Sequence, residues 1–194
     1  LASLRWNQIL SKRLYTAVFA GISKYQSRIS EFDSIQKTDA YRIESSVVYK
    51  SIKWDFTWLP NENHSIDFGI NAINYEISPG KLSPYSSESL IKPLTVSSEN
   101  ALEMAIYASD EIAISTKFIV ELGLRQSFYR QLGPGLAYLF DNELPRAPES
   151  IIDTMVYSKS KTMSKYNGLE PRLAFRYILS GSSSLKLSYG RINQ

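Results

Sequence analysis

The stretch that most restricts this chain is Ala101 to Arg130, ALEMAIYASDEIAISTKFIVELGLRQSFYR. Leu102, Met104, Ile106 and Ala108 alternate with Glu103, Ala105, Tyr107 and Ser109. After a polar turn at Ser115-Thr116-Lys117, Phe118, Val120, Leu122 and Leu124 alternate with Ile119, Glu121, Gly123 and Arg125. A period of two sustained this long is a strand signal that no helix satisfies. Two such runs around a short turn make a β-hairpin with one apolar face and one mixed or polar face. Both apolar sets are even-numbered, so the turn must hold an odd number of residues. That places Ile114 opposite Phe118 and Tyr107 opposite Arg125. The apolar face also outruns the usual strand of about five or six residues.

Composition narrows the classes. The 194 residues suffice for one ordinary domain. Mean hydropathy is -0.21, and no apolar run approaches the roughly 18 residues of a spanning helix. That excludes a helical membrane protein and leaves a β-barrel open, because barrel strands turn every second residue to the lumen. There is no cysteine, hence no disulfide framework or thiolate metal site, and a single histidine rules out a His-based metal cluster. A net charge of +3 with interspersed signs gives no nucleic-acid footprint. Thirteen tyrosines against three tryptophans fit interfacial aromatic belts, and fit any β-rich surface as well.

Along the chain, LASLRWNQIL lacks the features of a signal peptide. Leu1 to Trp6 reads as the tail of a strand already under way, and Asn7 to Lys12 as a short turn. Arg13 to Ser30 is a long strand with both faces moderately apolar, and Glu31 to Asp39 a loop. Ala40 to Leu59 is a second long strand. Its apolar parity flips, from Tyr41, Ile43, Val47 and Tyr49 to Ile52, Trp54, Phe56 and Trp58. A period-two strand changes face only by adding a residue, so a β-bulge is expected near Tyr49 to Ile52. Trp54 and Trp58 precede the turn Leu59 to Asn63 and are candidate membrane-interface aromatics. His64 to Glu76 is the next strand, with Trp58 opposite Ile66. Ile77 to Ser98 and Gln131 to Lys165 are long loops, and Ile151, Ile152, Met155 and Val156 mark local structure in the second. Tyr166 to Leu179 and Leu185 onward are strands around a turn at Ser180 to Ser184.

The connections therefore alternate between short and long, so every long one falls at the same end. Sandwiches have no reason for this. Bacterial barrels do, with short periplasmic turns and long extracellular loops. The fold expected is an all-β, antiparallel, up-and-down transmembrane barrel segment of about seven to eight meandering strands.

Several stretches resemble TonB-dependent outer-membrane receptors. Asp110 to Arg125, DEIAISTKFIVELGLR, is similar to a barrel hairpin of that family, with its Gly123-Leu124-Arg125 run. YNGLEPR at Tyr166 to Arg172 resembles the strand start that follows a long extracellular loop there, and SSLKLSYGRINQ from Ser183 the next strand. RWNQILSKRLY at Arg5 and WDFTWLPNENHSIDFGI at Trp54 look most like receptors of Bacteroidetes, including the SusC-like branch. The resemblance covers nearly the whole chain but about a third of a barrel of roughly 22 strands. It implies a piece of a longer chain, residues 1–194 being part of one outer-membrane barrel domain, with the plug domain and remaining strands elsewhere. It also implies uptake of a large or scarce nutrient such as a glycan, peptide or siderophore, in the bacterial outer membrane. The partners implied are outer-membrane lipids, TonB through the plug, and a SusD-like surface lipoprotein. The alternative reading is a small self-contained barrel with an adhesin or structural role.

Chemistry-bearing residues are few. His64 beside a polar turn reads as a solvated turn histidine, and no nucleophile–base arrangement can be built around it. Gly133-Pro134-Gly135 lacks the Lys-Ser/Thr and helix of a phosphate loop. No enzyme activity, catalytic residue, cofactor or metal is expected. Glu121, Arg125, Glu170, Arg172 and Arg176 are candidate lumen-facing residues, read chiefly as ion pairs satisfying one another on a wet wall.

Overall fold

Each alternating run becomes a strand in the computed structural model, which describes residues 1–32 and 37–193. In chain order the strands are β1 (Ala2–Ser11), β2 (Leu14–Glu31), β3 (Tyr41–Asn61), β4 (His64–Pro84), a two-residue β5 (Leu94–Thr95) and β6 (Glu99–Ala113). Then come β7 (Phe118–Leu132), β8 (Gly135–Phe140), β9 (Ile151–Tyr157), β10 (Thr162–Ser180) and β11 (Ser183–Gly190). Eight long strands form one antiparallel up-and-down sheet in the order β1-β2-β3-β4-β6-β7-β10-β11. β5 adds to β4, and β8 with β9 makes a separate ribbon. The sheet is open, with β1 and β11 as its edges. The eight strands do not close on themselves, as the self-contained barrel would require.

The central hairpin has the register its parity demanded: Tyr107 stands opposite Arg125 and Ala113 opposite Ile119. Ser115 and Phe118 close the turn with reciprocal backbone hydrogen bonds of 3.2 and 3.3 Å. Trp58 stands opposite Ile66.

Because successive residues point to opposite sides, the pairing lets the two faces be followed across the sheet. One face carries Leu4 and Trp6, Val18 and Ala20, Ile52 to Trp58 at even positions, Ile66 to Ala72 at even positions and Leu102 to Ala108 at even positions. It continues through Val120, Leu122 and Leu124, then Leu169, Leu173 and Phe175, then Leu185 and Leu187. This band is uncovered: Leu4 is 71% exposed, Ile52 53%, Ile106 55% and Leu187 68%. The buried apolar residues are Ala40, Ala101, Ala105, Val120 and Ala174. A sheet hydrophobic on one side must bury that side against something, and no second layer does so among the described residues.

No bulge occurs near Tyr49 to Ile52. β2 and β3 pair without a slip from Leu14–Trp58 to Glu31–Tyr41. The parity flip has another cause. β3 and β4 run to 21 residues each, about twice the 9–11 that span a bilayer. Below Lys50 the even face of β3 is the apolar band. Above it the same face carries Arg42 and Glu44, beside Lys24 and Arg28 of β2 and Glu76 of β4. Arg28 pairs with Glu44 and Lys50 with Glu76, each at 2.6 Å. The chemistry of the residues changes along the strand and the side to which they point does not. A register shift does occur higher up, between Glu44 and Ser46 of β3, opposite the Pro79-Gly80 of β4. There a proline costs no ladder bond.

That pairing corrects three further expectations. Ile77 to Pro84 is strand, since β3 supplies partners as far as Tyr41–Pro84, so the loop is only Tyr85 to Ser98. Asn7 to Ser11 belongs to β1, paired to β2 as far as Ser11–Leu14 with a register shift after Ile9, and the turn shrinks to Lys12-Arg13. The ends of Gln131 to Lys165 belong to β7 and β10, which leaves a connection of residues 133–161, and the local structure expected at Ile151 to Val156 is present there as β9, paired with β8. The expected loop Glu31 to Asp39 falls partly outside the described residues. The remaining short connections are Glu62-Asn63, Ile114 to Lys117 and Gly181-Ser182, all at one end with Lys12-Arg13.

Candidate functional site

The opposite, polar face gathers its charges into a belt across β3, β4, β6, β7 and β10. Its centre is Tyr107 on β6. Asp55, Gly69 and Tyr107 stand in one row on β3, β4 and β6. With no side chain at Gly69, the phenol lies across β4 and donates a hydrogen bond to Asp55. A Cβ at Gly69 would come within 2.7 Å of the Tyr107 hydroxyl, so this crossing requires the glycine. Lys53 reaches the other Asp55 oxygen at 2.9 Å and lies 5.6 Å from the centre of the Tyr107 ring. Arg125 approaches the same ring at 5.9 Å. The phenol is thus held by one carboxylate and flanked by two cations.

From Arg125 the belt continues to β10. Its guanidinium is 3.6 Å from Glu103 and 3.9 Å from Glu170, and Arg172 is 3.8 Å from Glu170. These are contacts of charge rather than hydrogen-bond length. The short bonds are elsewhere: Ser127 donates to Glu170 at 2.8 Å, and Arg125 Nε donates to Ser127 at 3.2 Å. Glu170 is 5% exposed. It is the belt's most covered charge, held by a hydroxyl and two guanidinium groups. Above it, Tyr75 donates to Glu103 at 3.2 Å and packs edge-on against Tyr49 at 5.5 Å.

All five charged residues singled out in the sequence lie on this face. Arg125, Glu170 and Arg172 are brought together. Glu121 and Arg176 stand nearer the short turns, Glu121 opposite Glu111 and Arg176 opposite Lys186, and make no ion pair among the described residues. Sequence reasoning missed Lys53, Asp55, Glu103 and Tyr107. Their signal was the parity of β3 and β6, which sets Lys53 and Asp55 opposite the face of Ile52 to Trp58, and Glu103 and Tyr107 opposite that of Leu102 to Ala108.

Trp54 and Trp58 both lie on the apolar face. Trp58 is close to the Glu62-Asn63 turn. Trp54 is four residues further along, packs against Phe56 at 5.1 Å and donates its indole N–H to Thr16 at 2.8 Å. Thr16 in turn donates to the Asp55 carbonyl at 3.0 Å. His64 is not simply solvated, for its Nδ1 is 2.7 Å from Asp110 on the neighbouring strand. Among the described residues no group of three His, Cys, Asp or Glu side chains that could hold a metal ion occurs.

No protein-family model matches the chain, and no curated protein does. Two solved structures are similar in fold, the closed and open forms of the ferric-catecholate import receptor Fiu of E. coli K12. The TM-scores are 0.59 and 0.57, at 12% and 11% identity over 97% of this chain. The chain spans about a third of those receptors, 32% and 34% of their lengths. At such identity the likeness is one of fold, a run of meandering barrel strands.

Proposed function

We propose that this chain is part of the wall of a TonB-dependent transporter in the bacterial outer membrane, taking up a large or scarce nutrient. The observation that carries the reading is the single-layer meander itself, with one continuous apolar face and every long connection at one end. In water such a face has no partner. In a bilayer it is the lipid-contacting surface of a barrel, and the long connections are extracellular. The fold likeness to an import receptor supports a transporter over an adhesin, as does the failure of eight strands to close. A SusC-like, Bacteroidetes origin with a SusD-like partner rests on the sequence stretches alone, and the structural likeness falls on a receptor of E. coli.

On this reading the polar face lines the lumen, and Glu121, Arg125, Glu170, Arg172 and Arg176 belong to its wall. Trp58 sits at the periplasmic interface, with Trp54 higher in the band. TonB acts through a plug domain encoded outside these residues. The ligand is met first at the connections Tyr85 to Ser98 and Gly133 to Lys161. The glycan, peptide or siderophore classes stay equal candidates, since the belt balances carboxylates against cations. Deleting residues 136–156 from the full gene product should abolish ligand-dependent growth while the folded, heat-modifiable form persists on gels. Growth at the parental rate with the loop gone would sink the reading.

A further inference from the structure

Past the band, the apolar face turns basic. Lys24, Lys50, Arg130 and Lys165 all project from it at or just above the level where its large aliphatic residues end. Arg130 and Lys165 are direct cross-strand partners. Like charges so placed repel, and neither meets a carboxylate within ion-pair distance among the described residues. Glu76, the nearest acid on this rim, is taken by Lys50 and lies within electrostatic reach of Lys159 as well. The pair is therefore a cation site without an anion.

Directly beneath it the face is hollow. Phe128 follows Arg130 on the same side of β7. It lines a depression of about 430 Å³ with Met104, Ile106, Ile70, Ile52 and Trp54, floored where Ala72 supplies only a methyl group. An uncompensated cation pair over an apolar trough matches an amphiphile with an anionic head. We propose that a phosphorylated lipid of the leaflet on the long-loop side binds here, its phosphate on Arg130 and Lys165 and one acyl chain along Phe128 toward Trp54. Lys24 and Lys159 widen the attraction along the rim.

This inference rests on the apolar face meeting the bilayer. The test uses the full gene product in an uncharged detergent, titrated with phosphatidic acid or with phosphatidylcholine of the same chain length and read by native mass spectrometry. Phosphatidic acid should be retained about 30-fold more tightly, as expected of two cations near a headgroup. The double variant Arg130→Gln with Lys165→Gln should lose most of that preference. Arg5→Gln with Lys186→Gln, on the polar face, should keep it. Equal retention of the two lipids by the unaltered protein overturns the site, even if a variant fails to fold. So does a preference that survives the double variant, or displacement of the lipid by millimolar inorganic phosphate. A gene product that stays dispersed without detergent sinks the transporter reading and this site together. One that needs detergent but shows no preference sinks the lipid site alone.

Discussion

β2 and β3 pair in unbroken register along their whole length, and β3 with β4 from Trp58 up to Ser46, yet the outward chemistry of their lower and upper halves is reversed. In the lower half one face carries Val18, Trp54 and Ile70 while the other carries Asp55 and Asp67. In the upper half the first face carries Arg28, Glu44 and Glu76, while the second carries Tyr25, Val47 and Tyr49. Since the backbone does not slip between them, the reversal measures the surroundings. On the proposed reading the lower part of this face meets hydrocarbon and must be apolar, and the same face, once above it, meets water and headgroups. The difference places the edge of the apolar layer near Lys50.

The sharpest way to break this comparison is a charge on each side of that edge. Ile70→Arg, inside the band, should cost about 2–4 kcal/mol of folding stability in a bilayer. Ser46→Arg, on the same face in the upper half, should cost under about 0.5 kcal/mol. Urea unfolding into lipid vesicles compares the two, and equal costs would remove the boundary. A smaller effect is expected on the opposite face. Tyr107→Phe deletes the bond to Asp55 but leaves Lys53 on that carboxylate, so about 1 kcal/mol should be lost in the same assay. The least is expected of Lys50→Gln. Its partner is open to solvent, so the change should be small and should vanish as salt is raised. A large, salt-insensitive loss there would mean the edge lies higher.

Much of this was legible in the sequence because a barrel strand is a local pattern. Even-numbered apolar residues in β6 and β7 fixed both strands, their faces and the Tyr107–Arg125 register. The failures share one cause. Parity shows which residues agree with one another, and carries no record of where the solvent changes. Tyr49 to Ile52 therefore suggested a bulge that does not exist. Ile77 to Pro84 looked like loop because its prolines and serines carry no alternation, although β3 continues to pair with it. The belt was half visible: Arg125, Glu170 and Arg172 followed from parity. The step from Tyr107 across Gly69 to Asp55 depends on a three-strand juxtaposition that no single run contains. His64 looked like a turn residue because its partner, Asp110, is two strands of sequence away.

The claim beneath all of this is that the eight strands cross a membrane with their long connections on one side. The chain holds no cysteine of its own, so introduced thiols can report its topology. In intact cells, a thiol from Glu143→Cys, in the connection between β8 and β9, should react with a membrane-impermeant maleimide. One from Thr116→Cys, at the β6–β7 turn, should react only after the outer membrane is opened. Labelling of Thr116→Cys in intact cells, with Glu143→Cys protected or no different, would contradict the account.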